Sequence, residues 1–212
     1  MARVRKAHPS HAAAGARLTG TAQTFDASLP PAARPLATLR REHIEALLRA
    51  AVCHGAGAAG AHCIHELWMR GEFAANIEAA LTALWQGAAA SIPEWLPMRH
   101  VDWLPALYEV TCTFNVARRG RYNIYVVLLD FADRRRGPYG LYVGMSHYTP
   151  AQRFDQHKAG IRAAASVLRR GLEVLTGPTL HLQGIARSEA LRIEAELAEA
   201  LRDAGLLVEG GH

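Results

Sequence analysis

Hydrophobic positions along the chain change their period as one moves from the N-terminal to the C-terminal half. From about Leu36 to Gly87 they recur at helical spacing. Leu39, Ile44, Leu47, Leu48 and Val52 fit one helix face, and Gly55, Gly57 and Gly60 then interrupt the pattern. Two further helical segments, roughly 58–70 and 72–85, follow, the second with Ile77, Leu81 and Leu84 on one face. This predicts a small helical bundle. Ahead of it, residues 1–35 show no periodicity and end in Pro30, Pro31 and Pro35. They read as a solvated basic tail carrying Arg3, Arg5, Lys6 and Arg17.

Strand-like patterns take over after the stretch bounded by Pro93 and Pro97. Leu107–Phe114 alternates and predicts a strand. Tyr122–Leu129 is almost continuously apolar, as expected of a central strand buried on both faces. The turn of Arg134, Arg135, Arg136, Gly137 and Pro138 separates it from a second apolar run, Gly140–Ser146, so the pair reads as a hairpin. Thr149 as N-cap and Pro150 in the first turn start a helix with the apolar stripe Phe154, Ile161, Ala165 and Leu168. Arg153 and His157 lie one turn apart along its edge. Thr179–Gln183 reads as a short strand, and a helix over about 188–204 follows. The predicted fold is therefore α+β: a small antiparallel sheet flanked by helices, with an N-terminal helical module. The corresponding units are a tail over 1–35, a helical module over 36–105 and an α+β domain over 106–212.

One position breaks the last helix's pattern. Ala190, Ile193, Leu197, Leu201 and Ala204 share its apolar face, and Glu194 falls within that arc. A carboxylate turned toward a core is costly unless it is paired, hydrogen-bonded or bound to a cation.

Composition narrows the partner. The 212-residue chain carries a formal net charge of +5, with half of its residues hydrophobic. That is a globular composition whose charge suits an anionic partner such as nucleic acid. Three cysteines, Cys53, Cys63 and Cys112, make no disulfide framework. No apolar run approaches the roughly 20 residues of a membrane span, and the expectation is a cytoplasmic protein without a membrane partner. Cys53-His54 and His62-Cys63-Ile64-His65 bring soft ligands together, but their spacing fits no zinc pattern, and a structural role is expected.

The stretch from Tyr122 to Gly160 resembles the GIY-YIG nuclease domain. Asn123-Ile124-Tyr125 corresponds to the first half of the motif and Tyr142-Val143-Gly144 to the second. Arg153 and His157 correspond to the family's Arg and its His or Tyr one turn later, and Glu194 to its metal-binding Glu. The resemblance covers about residues 120–209. It departs from the family where Asn123 stands in place of the first Gly, and it shows no late Asn after Asn123.

The resemblance implies a DNA phosphodiesterase using one divalent cation, Mg²⁺ or Mn²⁺. Its site would be Tyr125, Tyr142, Arg153, His157 and Glu194, with Glu194 as the metal ligand. Arg153 would stabilise charge on the phosphorane, Tyr125 would accept the proton of the attacking water, and Tyr142 and His157 would position water or relay the proton. Arg134, Arg135, Arg136, Lys158, Arg162 and Arg169 are the candidates for contacting the nucleic-acid backbone. RNA remains open as a substrate. Two other readings stand beside this one: a nucleic-acid-binding domain that kept the fold without the chemistry, and an interaction module acting through the N-terminal helices.

Overall fold

The computed structural model describes residues 25–131 and 137–211. Four helices come first: α1 (Arg41–Cys53), α2 (Gly57–Met69), α3 (Ala74–Ala88) and α4 (Leu104–Thr111). Strands β1 (Asn123–Asp130) and β2 (Tyr139–Ser146) follow, then α5 (Pro150–Lys158), α6 (Ala165–Arg170) and β3 (Gly171–Val174). The chain closes with α7 (Thr176–Thr179), α8 (Arg187–Asp203) and β4 (Val208–Gly210). The sheet order is β3-β1-β2-β4. β1 pairs antiparallel with both β2 and β3, while β4, returning after α8, lies parallel to β2. The α+β class is as the sequence pattern predicts, with a mixed rather than wholly antiparallel sheet.

Three predicted elements differ. Residues 107–114 are not a strand. Leu104, Leu107, Tyr108 and Thr111 are buried at helical spacing, with Pro105 in the first turn, and they form α4. The alternation over this segment is a coincidence within a helical period. Residues 179–183 are not a strand either: Thr176–Thr179 is a helical turn, and a 3-10 turn follows at Leu180–Leu182. The third strand is Gly171–Val174, entered directly from α6 with no linker. Finally, the helix begun at Pro150 stops at Lys158. Gly160 at φ +77° turns the chain, so the stripe residues Ile161 and Leu168 are exposed rather than packed.

β1 is buried on both faces, as its apolar run demands. Ile124, Val126 and Leu128 face one way and join Leu141 and Val143 of β2. They pack on α8 through Ala190, Ile193, Leu197 and Leu201, and the same core runs without a break into α4 and the N-terminal helices. Tyr125, Val127 and Leu129 face the other way, against Val167, Phe154 and Val174. The boundary at 105/106 expected from the change of hydrophobic pattern falls inside α4, and helices and sheet share one core.

Residues 25–35, expected in the tail, are packed instead. Pro31 is buried, and Phe25 packs on the core and meets the His62 ring at 5.7 Å. Glu66, only 1% exposed, holds this segment through Arg34 Nη2 at 2.8 Å and is itself held by Arg70 Nε at 2.7 Å. Arg70 also donates to the carbonyls of Leu36, Ala37 and Leu39. An unpaired carboxylate at that depth would be costly, and two guanidinium groups offset it. Residues 1–24 and the Arg134–Arg136 turn lie outside the described residues. No helix among the described residues is long and apolar enough to cross a membrane.

His62 and His65 sit inside this assembly against Trp95 and Tyr108, not at a solvent-facing ligand cluster. Burial lowers the pKa of both, that of His65 to about 4. A histidine kept neutral in the fold but free to protonate when unfolded leaves stability untouched above pH ~6.5 and reduces it as pH falls from there toward 4. We expect urea midpoints to fall steadily between pH 6.5 and 4.5. His65→Phe should flatten that slope by about one proton, roughly 1.4 kcal/mol per pH unit. A slope identical in the variant would contradict this account.

Candidate active site

The two motif tyrosines share a face of the hairpin. Tyr125 pairs across the strands with Gly144, and Tyr142 with Val127, so alternation turns both phenols toward α5 and α6. Their ring centroids are 6.1 Å apart. Gly144 makes that approach possible. A Cβ there would lie 2.5 Å from the Tyr125 hydroxyl and 2.7 Å from Cε1 of Tyr142. The glycine of the second half-motif is thus a matter of space for two phenols.

α5 supplies the next two groups. Its start is fixed by a capping box between Thr149 and Gln152. His157, one turn beyond Arg153, is 1% exposed, and its Nε2 lies 2.9 Å from the Tyr125 hydroxyl. Its Nδ1 accepts from the backbone N–H of Ala164 at 2.9 Å. A backbone amide only donates, so Nδ1 is bare and the neutral ring carries its proton on Nε2. His157 therefore donates to Tyr125. Burial, and then the nearby Arg153 charge, push His157 down to about 4, which keeps it neutral near pH 7. Burial also raises Tyr125 above the ordinary phenol range, an effect opposed by Arg153. Tyr142 is raised by burial too, and the charge of Glu194 adds to it.

Arg153 is braced by the loop that follows its helix. Its guanidinium donates to Gln156 Oε1 at 3.1 Å and to the carbonyls of Ile161 and Arg162 at 3.3 and 2.9 Å. Arg162 adopts φ +46° in that loop. From there Arg153 acts on Tyr125, Tyr142 and His157 alike.

Glu194 comes from the other side of the sheet and reaches round its edge. α8 packs on the Ile124–Val126–Leu128 face, opposite the tyrosines. β4 ends at Gly210, opposite Val143 of β2. Past that end the Met145 N–H donates to Glu194 Oε1 at 3.1 Å, and the half-buried carboxylate is felt by Tyr142. Among the described residues there is no group of three or more His, Cys, Asp or Glu side chains that could hold a metal. A single anchored carboxylate is nonetheless a fitting seat for Mg²⁺, which commonly uses one or two carboxylates and completes its shell with water and phosphate.

Asn123 is the residue whose role the sequence did not disclose. It was visible only as a departure from the motif's first Gly. Its Nδ2 donates to the Tyr148 carbonyl at 2.9 Å, and its Oδ1 accepts from the Gly184 N–H at 2.9 Å. One side chain so ties the loop entering α5 to the loop leading to α8. The Ala164 amide, which orients His157, had no sequence signal at all, because every residue type offers it.

The candidate backbone contacts are more dispersed. Lys158 Nζ donates to the carbonyls of Leu168 and Gly171, and Arg169 Nε to that of Ala165, so both have structural engagements. Arg162 is exposed beside Arg153. The flanks of the basic turn, Asp130 and Tyr139, pair at the far end of the hairpin. They stand five residues, roughly 17 Å, along β1 from Tyr125, so the tyrosines do not meet near that turn. A cavity of about 520 Å³ lined by Leu81, Trp85, Met98, Arg99 and Tyr139 opens near that far end, away from the phenols.

No protein-family model, no curated protein and no solved structure matches the chain. The geometry is testable on its own terms. Gly144→Ala should displace both phenols and lower stability by about 1–3 kcal/mol, the usual range for overpacking. Asn123→Ala removes two hydrogen bonds and should lower it by about 1–3 kcal/mol. Denaturant titration of each variant checks both, and a Gly144→Ala protein as stable as the parent would refute the close approach.

Proposed function

We propose that the chain is a divalent-metal-dependent endonuclease of the GIY-YIG superfamily, hydrolysing DNA phosphodiester bonds through its C-terminal half. One observation carries this reading. Tyr125, Tyr142, Arg153, His157 and Glu194, drawn from two strands and two helices, act on one another at one end of a small sheet. Nothing about core packing alone calls for two phenols, an imidazole, a guanidinium and a carboxylate in one place.

Each group has a task. Arg153, held by its own loop, stabilises the extra negative charge on the phosphoryl oxygens as water adds to phosphorus. A phenolate takes the proton of that water, the P–O bond to the leaving oxygen breaks, and that oxygen takes a proton from solvent while the phenol returns its own to solvent. Burial favours Tyr142 for direct contact, because it is half-buried whereas Tyr125 is 1% exposed. Tyr125 then stands behind it, receiving the hydrogen bond of His157 and fixing the position of its partner. Glu194 would hold the Mg²⁺ or Mn²⁺ ion, whose charge would neutralise the phosphate and lower the pKa of groups around it.

The test is nicking of supercoiled plasmid with Mg²⁺, with Mn²⁺ and with chelator, and a parallel assay on RNA. Cleavage should require the metal. Glu194→Gln and Arg153→Ala should each reduce turnover about 10²–10³-fold, and Arg153→Ala, which also loses three hydrogen bonds, should lower stability by about 1–3 kcal/mol without unfolding the protein. Metal-dependent cleavage that survives Glu194→Gln would exclude this site, and DNA binding without any cleavage would favour a binding domain.

The pH profile is a second test. His157 is neutral well below pH 6.5, so no inflection is expected there. A phenol whose pKa burial has raised should make the rate climb about tenfold per pH unit over the neutral range. A rate that is flat from pH 6 to 8 would rule out a phenol as the base.

A further inference from the structure

Beside the proposed site three aromatic rings form a cluster that the nuclease chemistry does not use, with two of them stacked and the third edge-on. Tyr122, just ahead of β1, meets the His147 ring edge-on at 6.3 Å and 67°, and His147 lies against Tyr148 at 4.1 Å with an interplanar angle of 37°. The stack ends at Tyr148, which is 40% exposed. His147 is exposed as well.

The backbone beneath the last ring is pinned. The Tyr148 N–H donates to Ser146 Oγ at 3.1 Å, its carbonyl accepts from Asn123 Nδ2 at 2.9 Å, and the capping box of α5 begins at the next residue. An exposed ring on a rigid backbone loses little conformational freedom when something stacks on it. The surroundings are cationic. Arg118, Arg119 and Arg121 are exposed in the segment leading to Tyr122, and that segment is clamped by Gly120 N–H to the Gly184 carbonyl and by Arg118 Nε to the Gln183 carbonyl. Stack and arginines therefore share the end of the sheet where β1 begins and β2 ends, the end that also carries Tyr125.

We propose that the His147–Tyr148 stack, buttressed edge-on by Tyr122, receives an unpaired nucleobase, so that the preferred substrate is DNA that is single-stranded or opened at the cleavage position. This rests on the nucleic-acid reading of the site. A base added to the outer face of Tyr148 continues the stack, while the adjoining arginines follow the phosphates. A duplex keeps its bases stacked on one another and offers nothing to that ring.

The intact protein in EDTA, where cleavage is suppressed, is titrated into a fluorescein-labelled single strand and into the matching blunt duplex, followed by anisotropy. A single strand containing 2-aminopurine reports stacking by quenching. We expect tighter binding to the single strand and quenching on binding. Tyr148→Ala should weaken single-strand binding about tenfold, abolish quenching and leave duplex binding nearly unchanged, whereas Tyr148→Phe should behave as the parent. Tyr148 is exposed, and equal thermal midpoints for the variants will show that the fold is kept. Single-strand binding indifferent to Tyr148→Ala, or equal losses on both forms, overturns the stack while leaving the nuclease reading in place. Binding to neither form overturns both.

Discussion

The site depends on where one proton sits. The Ala164 amide donates to Nδ1 of His157, and this leaves Nε2 as the only nitrogen that can carry hydrogen in the neutral ring. From that single constraint the rest follows in order. His157 must donate to Tyr125, so the Tyr125 oxygen is an acceptor and its own proton points elsewhere. The arrangement resists protonation of the ring, because a second proton would have to displace the Ala164 bond in a buried place beside Arg153. The imidazole is thus a fixed donor near neutral pH rather than a titrating group. It favours negative charge on the phenol oxygen without contributing a charge of its own.

Holding that chain of donors needs a rigid platform on each side. β1 supplies it because both of its faces are buried. One face anchors the tyrosines, and the other is continuous with α8 and with the N-terminal helices. The helical half of the molecule is consequently part of the support of the site. The pinned segment 25–35, with Glu66 between Arg34 and Arg70, closes that half over His62 and His65. A disturbance there is transmitted through packed side chains rather than lost in a linker.

Legibility of the sequence followed the strength of periodic signals. The apolar run of β1, the long wheel of α8 and the cap of α5 were all readable because each depends on residues adjacent in sequence. Glu194 stood out for the same reason, as a charge in an apolar arc. What failed were short elements whose identity is decided by tertiary neighbours. Residues 107–114 alternate well enough for a strand, yet Leu107, Tyr108 and Thr111 join Leu104 on the buried face of a helix. Gly171–Val174 has only four residues and becomes a strand by pairing with β1. At the site, side chains could be nominated from order and spacing, but the groups that orient them could not. The Ala164 amide carries no residue signature, and the clamp made by Asn123 requires knowing that residues 148 and 184 meet.

The placement of Glu194 also separates two roles that one carboxylate could combine. β2 needs its outer edge covered, and β4 does so only as far as Gly210. The next demand is an acceptor for the Met145 N–H, which Glu194 meets. Capping an amide does not require a charge; a side-chain carbonyl oxygen of the same reach would serve. Choosing a carboxylate there brings a formal negative charge beside a phenol that the same charge makes harder to ionise. At neutral pH the phenol is un-ionised, so the carboxylate costs the fold nothing through Tyr142; what it raises is the energy of the phenolate. A cation held by the carboxylate would change the sign of the net field at the phenol and ease its ionisation. Of the two roles, capping the amide would be indifferent to a cation, whereas ionisation of the phenol would respond to one.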